Sequence, residues 1–391
     1  MFGIDTSVLI ALLLIAAAVG AVIAAKRRNT IDNRVIVVSD EDFDPVHRGW
    51  GHRHDDEGPC KFDRKEVRRT MHNAVPPIDM SNIPAPEAFV QKLLKCVNAD
   101  ELGELVAGLT GEKPVYVGDQ HVTLKSRSTH GQGVWLAMTW LEQFYRSLGI
   151  EVKRIPYKVG GETLFNLEAV KRGKSTGKKP KVYIAGSHLD STAGNTWSNE
   201  KLAPGADDDG SGTIAVLKIA EAMKDLVLPD DVEVRYLHFT GEEQGLWGSK
   251  KYAQACKAAG DNIIHMWQCD MIGYCRTEEH MFDIHDNVDQ NGSHEMTVLL
   301  FRIIAQYGLN LKPIDTHNRA VEGRSDHAPF TAYGWKGVLV SERFTDEDFT
   351  PYYHTTEDRV GKFRMPFYVA MVQAMIATLI HDSGAKPASL R

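Results

Sequence analysis

From Ser7 to Ala25 the chain carries no charged residue, and from about Pro86 onward apolar residues return at regular intervals; between them neither pattern holds. The first run is 19 residues of mainly Leu, Ile, Val and Ala. As a helix it spans roughly 28 Å at about 1.5 Å per residue, close to the thickness of a bilayer core. Lys26, Arg27 and Arg28 follow it, and only Asp5 is charged before it. A cleaved leader carries basic residues ahead of its apolar run, so residues 1–28 are predicted to be an N-terminal transmembrane helix, with 7–25 in the membrane. Ala16 to Ala18 offer a cleavage site on the alternative reading as a signal peptide. With basic residues only on the C-terminal flank, the positive-inside rule places the body of the chain on the cytoplasmic side.

Residues 29–85 read as a polar tether and lead-in, closing on the VPPIDMSNIPAPE stretch. His47, His52, His54, Asp55 and Asp56 fall in this tether without helical or hairpin spacing, which favours a solvated loop over a metal site. Residues 86–391 carry the periodicity of a folded domain. Phe89, Leu93, Leu94 and Val97 predict a helix over 86–108, and Trp135, Met138, Leu141 and Tyr145 another over Gly133–Leu148. Predicted strands Lys181–Gly186, Val232–Phe239, Ile263–Cys269 and Gly337–Ser341 then alternate with predicted helices Ser211–Leu226, Gly248–Ala259, Glu295–Tyr307 and Met365–His381. This alternation predicts an α/β fold with a mixed, largely parallel central sheet sandwiched by helices. The last helix is strongly apolar, yet its polar ends mark it as a core helix and not a second span.

Composition adds little beyond this. The chain is 391 residues long with a formal net charge of −7, which gives no reason to expect nucleic-acid binding, since polyanion binders usually show a basic face. Its five cysteines (Cys60, Cys96, Cys256, Cys269, Cys275) are scattered and form no CxxC pair, which argues against a zinc ribbon or a disulfide scaffold.

The chemistry gathers at strand ends. Lys181–Gly186 runs into Ser187-His188-Leu189-Asp190-Ser191, Val232–Phe239 into Thr240-Gly241-Glu242-Glu243, and Ile263–Cys269 into Asp270. Open α/β sheets bind ligands beyond the carboxyl ends of their strands, so these ends predict one pocket holding His, Glu, Glu and Asp. Asp207, Asp208 and Asp209 precede a helix between flanking glycines. Adjacent carboxylates repel, so the run needs either a cation or solvation, with Asp209 placed to cap the helix. His354 follows in YYHTTED. Zinc takes imidazole nitrogen and carboxylate oxygen, and two ions sharing a carboxylate activate one water. A neighbouring carboxylate then serves as general base, a division of labour that adjacent Glu242 and Glu243 permit.

In this order and spacing, HLDS, PGADDDGSG, GEEQGLWGS, QCDMIG and HTTED resemble the co-catalytic dizinc aminopeptidases of the bacterial leucyl aminopeptidase type, over roughly residues 85–384. The resemblance implies a zinc-exopeptidase fold, two zinc ions and a peptide substrate with a free N-terminus. It implies that His188 and Asp270 hold one ion, Glu243 and His354 the other, and Asp208 bridges them. It makes Glu242 the general base and has Asp190 orient His188. The family's loop tyrosine before SDH has no counterpart here, where the chain reads Arg319-Ala320-Val321-Glu322-Gly323-Arg324-Ser325-Asp326-His327. Glu322 or Arg324 then shapes the pocket in its place. Three alternatives share the fold: a single-zinc glutaminyl cyclase, a carboxypeptidase or dipeptidase, and a scaffold without metal. The triple aspartate favours the peptidase over the cyclase.

Overall fold

A computed structural model describes residues 78–286, 293–316 and 321–390. The predicted membrane helix, most of the tether with its histidine cluster, and Cys60 lie outside these residues. Among the described residues no helix is long and apolar enough to cross a membrane.

The helix predicted over 86–108 divides into α1 (Ala88–Leu94) and α2 (Ala99–Leu109). Asn98 separates them because its side chain caps α2, accepting from the Glu101 amide at 3.0 Å. A small ribbon follows, β1 (Val115–Val117) against β2 (Gln120–Val122), and then α3 (Gln132–Ser147). Next comes an antiparallel pair absent from the sequence reading, β3 (Glu151–Val159) and β4 (Glu162–Arg172), joined at Gly160 and Gly161. The predicted alternation then appears as β5 (Lys181–His188), α4 (Gly212–Met223), β6 (Val232–Phe239), α5 (Trp247–Ala259) and β7 (Asn262–Cys269). Strand β8 (Met281–Asp286), helix α6 (His294–Tyr307) and strand β9 (Lys312–Thr316) lead to α7 (Ala328–Ala332), β10 (Lys336–Ser341) and α8 (Met365–Ser383).

The eight-stranded sheet runs in the order β3-β4-β6-β5-β7-β10-β8-β9. Its centre, β6-β5-β7-β10, is parallel. β4 is antiparallel to both of its neighbours, β3 and β6, β8 opposes β10, and β9 runs parallel to β8. The sheet is therefore mixed, with its parallel part confined to the middle.

Strand alternation divides the core in two. Val234 and Tyr236 face one layer, with Ile214 and Leu217 of α4 and Met371 and Met375 of α8. Leu237 and Phe239 face the other, with Tyr252 and Cys256 of α5 and Phe330 of α7. Period-two strands buried on both faces read as near-continuous apolar runs, which is why VEVRYLHF was legible. The apolar α8 is buried along most of its length, as its core assignment requires. The described cysteines, Cys96, Cys256, Cys269 and Cys275, are free thiols.

Candidate metal centre

Parallel pairing sets β5 between β6 and β7, so His188 at the end of β5 has the Glu242–Glu243 turn on one side and Asp270 on the other. The turn over Ala206–Ser211 enters the same crevice beneath α4. It requires glycine at Gly205, where φ is 52° and a Cβ would come within 2.3 Å of the Asp208 carbonyl oxygen.

Hydrogen bonding separates the roles of the three aspartates. Asp207 accepts from the amides of Gly273 at 2.7 Å and Tyr274 at 3.2 Å. Asp209 accepts from His188 and Gly212, each at 2.9 Å, and so ties the end of β5 to the start of α4. Asp208 alone turns inward. Its Oδ1 lies 3.0 Å from His188 Nε2 and its Oδ2 lies 3.1 Å from His354 Nε2.

Two triads thus share one residue. His188, Asp208 and Asp270 form the first, with Asp270 Oδ1 at 3.5 Å from His188 Nε2. Asp208, Glu243 and His354 form the second, with Glu243 Oε2 at 3.0 Å from His354 Nε2. Glu243 Oε1, Asp270 Oδ1 and His354 Nε2 are buried without an aligned hydrogen-bond partner. Lone-pair donors converging this way, two imidazoles among carboxylates, fit zinc. Ser325 fixes Asp270 by donating to its Oδ2 at 2.6 Å.

Electrostatics agree. Burial alone would lower the pKa of His188, but Asp270, Glu242 and Asp208 hold it well above the usual imidazole value. His354 behaves likewise, with Glu243 and Asp208 overcoming its burial. Glu243 is pushed up to about 7 by burial, against the pull of His354. Glu242 is raised well above the carboxylate range by burial and the neighbouring acids, only partly offset by His188. These shifts reflect one crowd of buried acids and imidazoles whose charges depend on one another.

Two supports differ from or escape the sequence reading. His188 Nδ1 lies 3.1 Å from the main-chain carbonyl of Asp190 and 3.8 Å from its carboxylate. The Asp190 carboxylate instead accepts from Thr129 Oγ1 at 2.8 Å and from the amides of Glu242 and Glu243, both at 3.3 Å. It therefore positions the glutamate turn as well as facing the histidine. Arg127, fully buried, was not anticipated. Its guanidinium donates to the carbonyls of Leu189 at 2.7 Å, Pro204 at 2.6 Å and Gly205 at 2.8 Å, clasping two loops that reach the centre. Burial lowers its pKa to about 10, opposed by Asp358 and Asp209. Its partners are main-chain atoms, so no side-chain motif announces it.

Beside the triads opens a cleft of ≈ 420 Å³, part of it open solvent, whose lining includes Glu242, Met271, Leu339, Phe344, Phe349 and Tyr353. Arg324 also lines it, on the stretch where the sequence lacks the tyrosine. Tyr353 stacks on His354 with ring centroids 3.7 Å apart.

The family model "Peptidase family M28" matches residues 166–379. A probable leucine aminopeptidase of Arthroderma otae is 32% identical over 193 residues, covering 48% of this chain and 50% of that protein. A probable zinc metalloprotease of Pyrenophora tritici-repentis is 26% identical over 319 residues, covering 71% and 70%. The chain thus spans about half the length of the first relative. Among solved structures, the LapA aminopeptidase of Legionella pneumophila superposes with a TM-score of 0.61 at 19% identity, over 80% of this chain and 78% of that one. This last likeness is one of fold.

Proposed function

The chain belongs to peptidase family M28, and from that premise we propose that residues 86–391 form an aminopeptidase domain that holds two zinc ions and removes residues from the free N-terminus of peptides. The observation that carries this reading is Asp208, whose two oxygens each face a different histidine at 3.0 and 3.1 Å. In it, His188 and Asp270 would hold one ion and Glu243 and His354 the other, with Asp208 available to both. Bound zinc supplies a water activated near neutral pH and a Lewis acid for the scissile carbonyl.

The remaining steps fall to the chain's own groups. Glu242 takes the proton from the attacking water and delivers it to the leaving amine. Its burial favours this work, because a carboxylate out of bulk solvent is a stronger base. Met271, Leu339, Phe344 and Phe349 offer an apolar wall to the side chain of the substrate's first residue. Ser325 and Asp190 keep Asp270 and the glutamate turn in register.

The test is hydrolysis of an aminoacyl anilide with a free α-amine. We expect turnover that a chelator and Glu242→Ala abolish, and none on the N-acetylated substrate. Equal rates on both substrates would remove the aminopeptidase assignment even if the metals are present. One ion at the centre would favour the cyclase reading, and none there the scaffold. On sequence alone, residues 7–25 are assigned as a membrane anchor, 29–85 as a tether, and the domain to the cytoplasmic side. Protease digestion of the domain in intact cells would reverse that orientation.

A further inference from the structure

A second acid–histidine cluster lies on the β8–β9 flank and shares no residue with the centre. Asp286 ends β8, Asp315 sits on β9 beside Ile284 of β8, and His294 opens α6. His294 Nδ1 lies 3.1 Å from Asp286 Oδ2 and 3.4 Å from Asp315 Oδ2. The Thr297 hydroxyl donates to the same Asp286 oxygen at 2.7 Å and fixes its direction.

A plain ion pair does not account for this arrangement. The Asp286 side chain is fully buried and that of Asp315 is only 5% exposed. Yet among the described residues Asp286 Oδ1 and both Asp315 oxygens have no hydrogen-bond donor. One imidazole can offer at most a single positive charge, while two buried carboxylates bring two negative ones. Buried acceptors without a donor are rare, and each calls for an explanation.

We propose that Asp286, His294 and Asp315 bind a single divalent transition-metal ion of the zinc type, separate from the peptidase centre. Two atoms bound to zinc at about 2.0–2.2 Å in a tetrahedron stand about 3.3–3.5 Å apart. The Nδ1–oxygen separations of 3.1 and 3.4 Å are near that spacing before any ion draws the ligands together. The imidazole disfavours calcium, which takes six to eight oxygens, and magnesium, which keeps an oxygen and water shell. Three protein ligands leave a position for water. Because the ion would join β8, β9 and the start of α6, its role is to hold the edge strand to the body of the domain. The inference does not depend on the peptidase reading.

The test strips the full-length chain with chelator, restores it with zinc chloride, and counts ions per chain alongside the unfolding temperature. Asp315→Asn and His294→Gln are each expected to hold one ion fewer than the parent, with anilide turnover unchanged and a smaller zinc-induced rise in unfolding temperature. In a second arrangement the chain carries Asp208→Asn and keeps the β8–β9 cluster intact. It should still take up one zinc at micromolar concentration, even if the first two variants fail to fold. An unaltered ion count in both cluster variants, or no uptake below millimolar zinc by the Asp208→Asn chain, overturns the proposal.

Discussion

The two triads of the centre look alike in composition but are built differently. His188 and Asp270 sit at the ends of neighbouring strands β5 and β7, with sheet hydrogen bonds fixing the backbone, an Asp209 oxygen holding the His188 amide and Ser325 holding Asp270. His354 sits on an irregular loop in the left-handed region at φ 54°, which costs a non-glycine residue about 1–3 kcal/mol. The Tyr353 ring stacks on it, and four residues on, the Asp358 carboxylate ties the same loop to the aspartate turn by accepting the Asp207 and Asp208 amides at 2.9 and 3.1 Å. One triad is held by the sheet; the other depends on side-chain clasps and on the ion it would bind.

The sharpest break in this contrast is at Asp208, which belongs to both halves. Asp208→Asn should abolish turnover and empty both positions; retention of two ions at the centre would show that the halves do not share it. Glu242→Gln comes next. It should lower kcat by about 10²–10⁴-fold while both ions stay bound, since a general base is worth that much.

Smaller effects separate the halves themselves. We expect His354→Ala to lose one ion and leave the other, and gradual chelation of the parent to empty the His354 half first. Hydrogen exchange by mass spectrometry would then show metal-dependent protection over residues 345–358 but not over β5. Equal protection changes in both would remove the distinction between a rigid and a clasped half. Arg127→Met should destabilise the domain by at least about 3 kcal/mol, because each orphaned buried carbonyl costs about 1–3 kcal/mol. A denaturation midpoint close to the parent's would show that the guanidinium is replaceable.

The mildest effect is in pH. Burial, against amide donors that lower it, pushes Asp358 up to about 7, and Glu243 reaches about 7 through burial despite His354. Carboxyls with raised folded-state pKa values bind protons more tightly in the native than in the unfolded chain. Stability of the metal-free protein from these groups is therefore full below about pH 4 and falls as pH rises toward 7. Zinc uptake runs the other way, since it requires Glu243 ionised, and should weaken as pH drops below about 7. Titrating zinc affinity and metal-free unfolding temperature over this range would show the opposing slopes.

The same contrast explains what could be read from sequence. The parallel centre was legible because buried strands are apolar runs and their ends carry the reactive residues. The β3–β4 pair was not, since EVKRIPYKV is mostly only half-buried and interrupts the alternation with charges. KPIDT on β9 is short, begins with lysine and proline, and lies at the sheet edge, where proline is tolerated. By residue type the three adjacent aspartates look alike; the family resemblance points to Asp208, and the amide partners of Asp207 and Asp209, far along the chain, supply the physical reason. Arg127 offers no signal because its ligands are carbonyl oxygens, which every residue has.

Asp207 and Asp358 are 151 positions apart, and their contact joins the turn bearing Asp208 to the loop bearing His354. On the ribosome, at about 5–20 residues per second, that interval takes about 8–30 s. Through it the nascent chain displays His188, Asp208, Glu243 and in time Asp270 without the last histidine. On the proposed reading the centre is complete only once residue 354 has emerged, so a chain truncated before it would lack one of the two histidines that face Asp208.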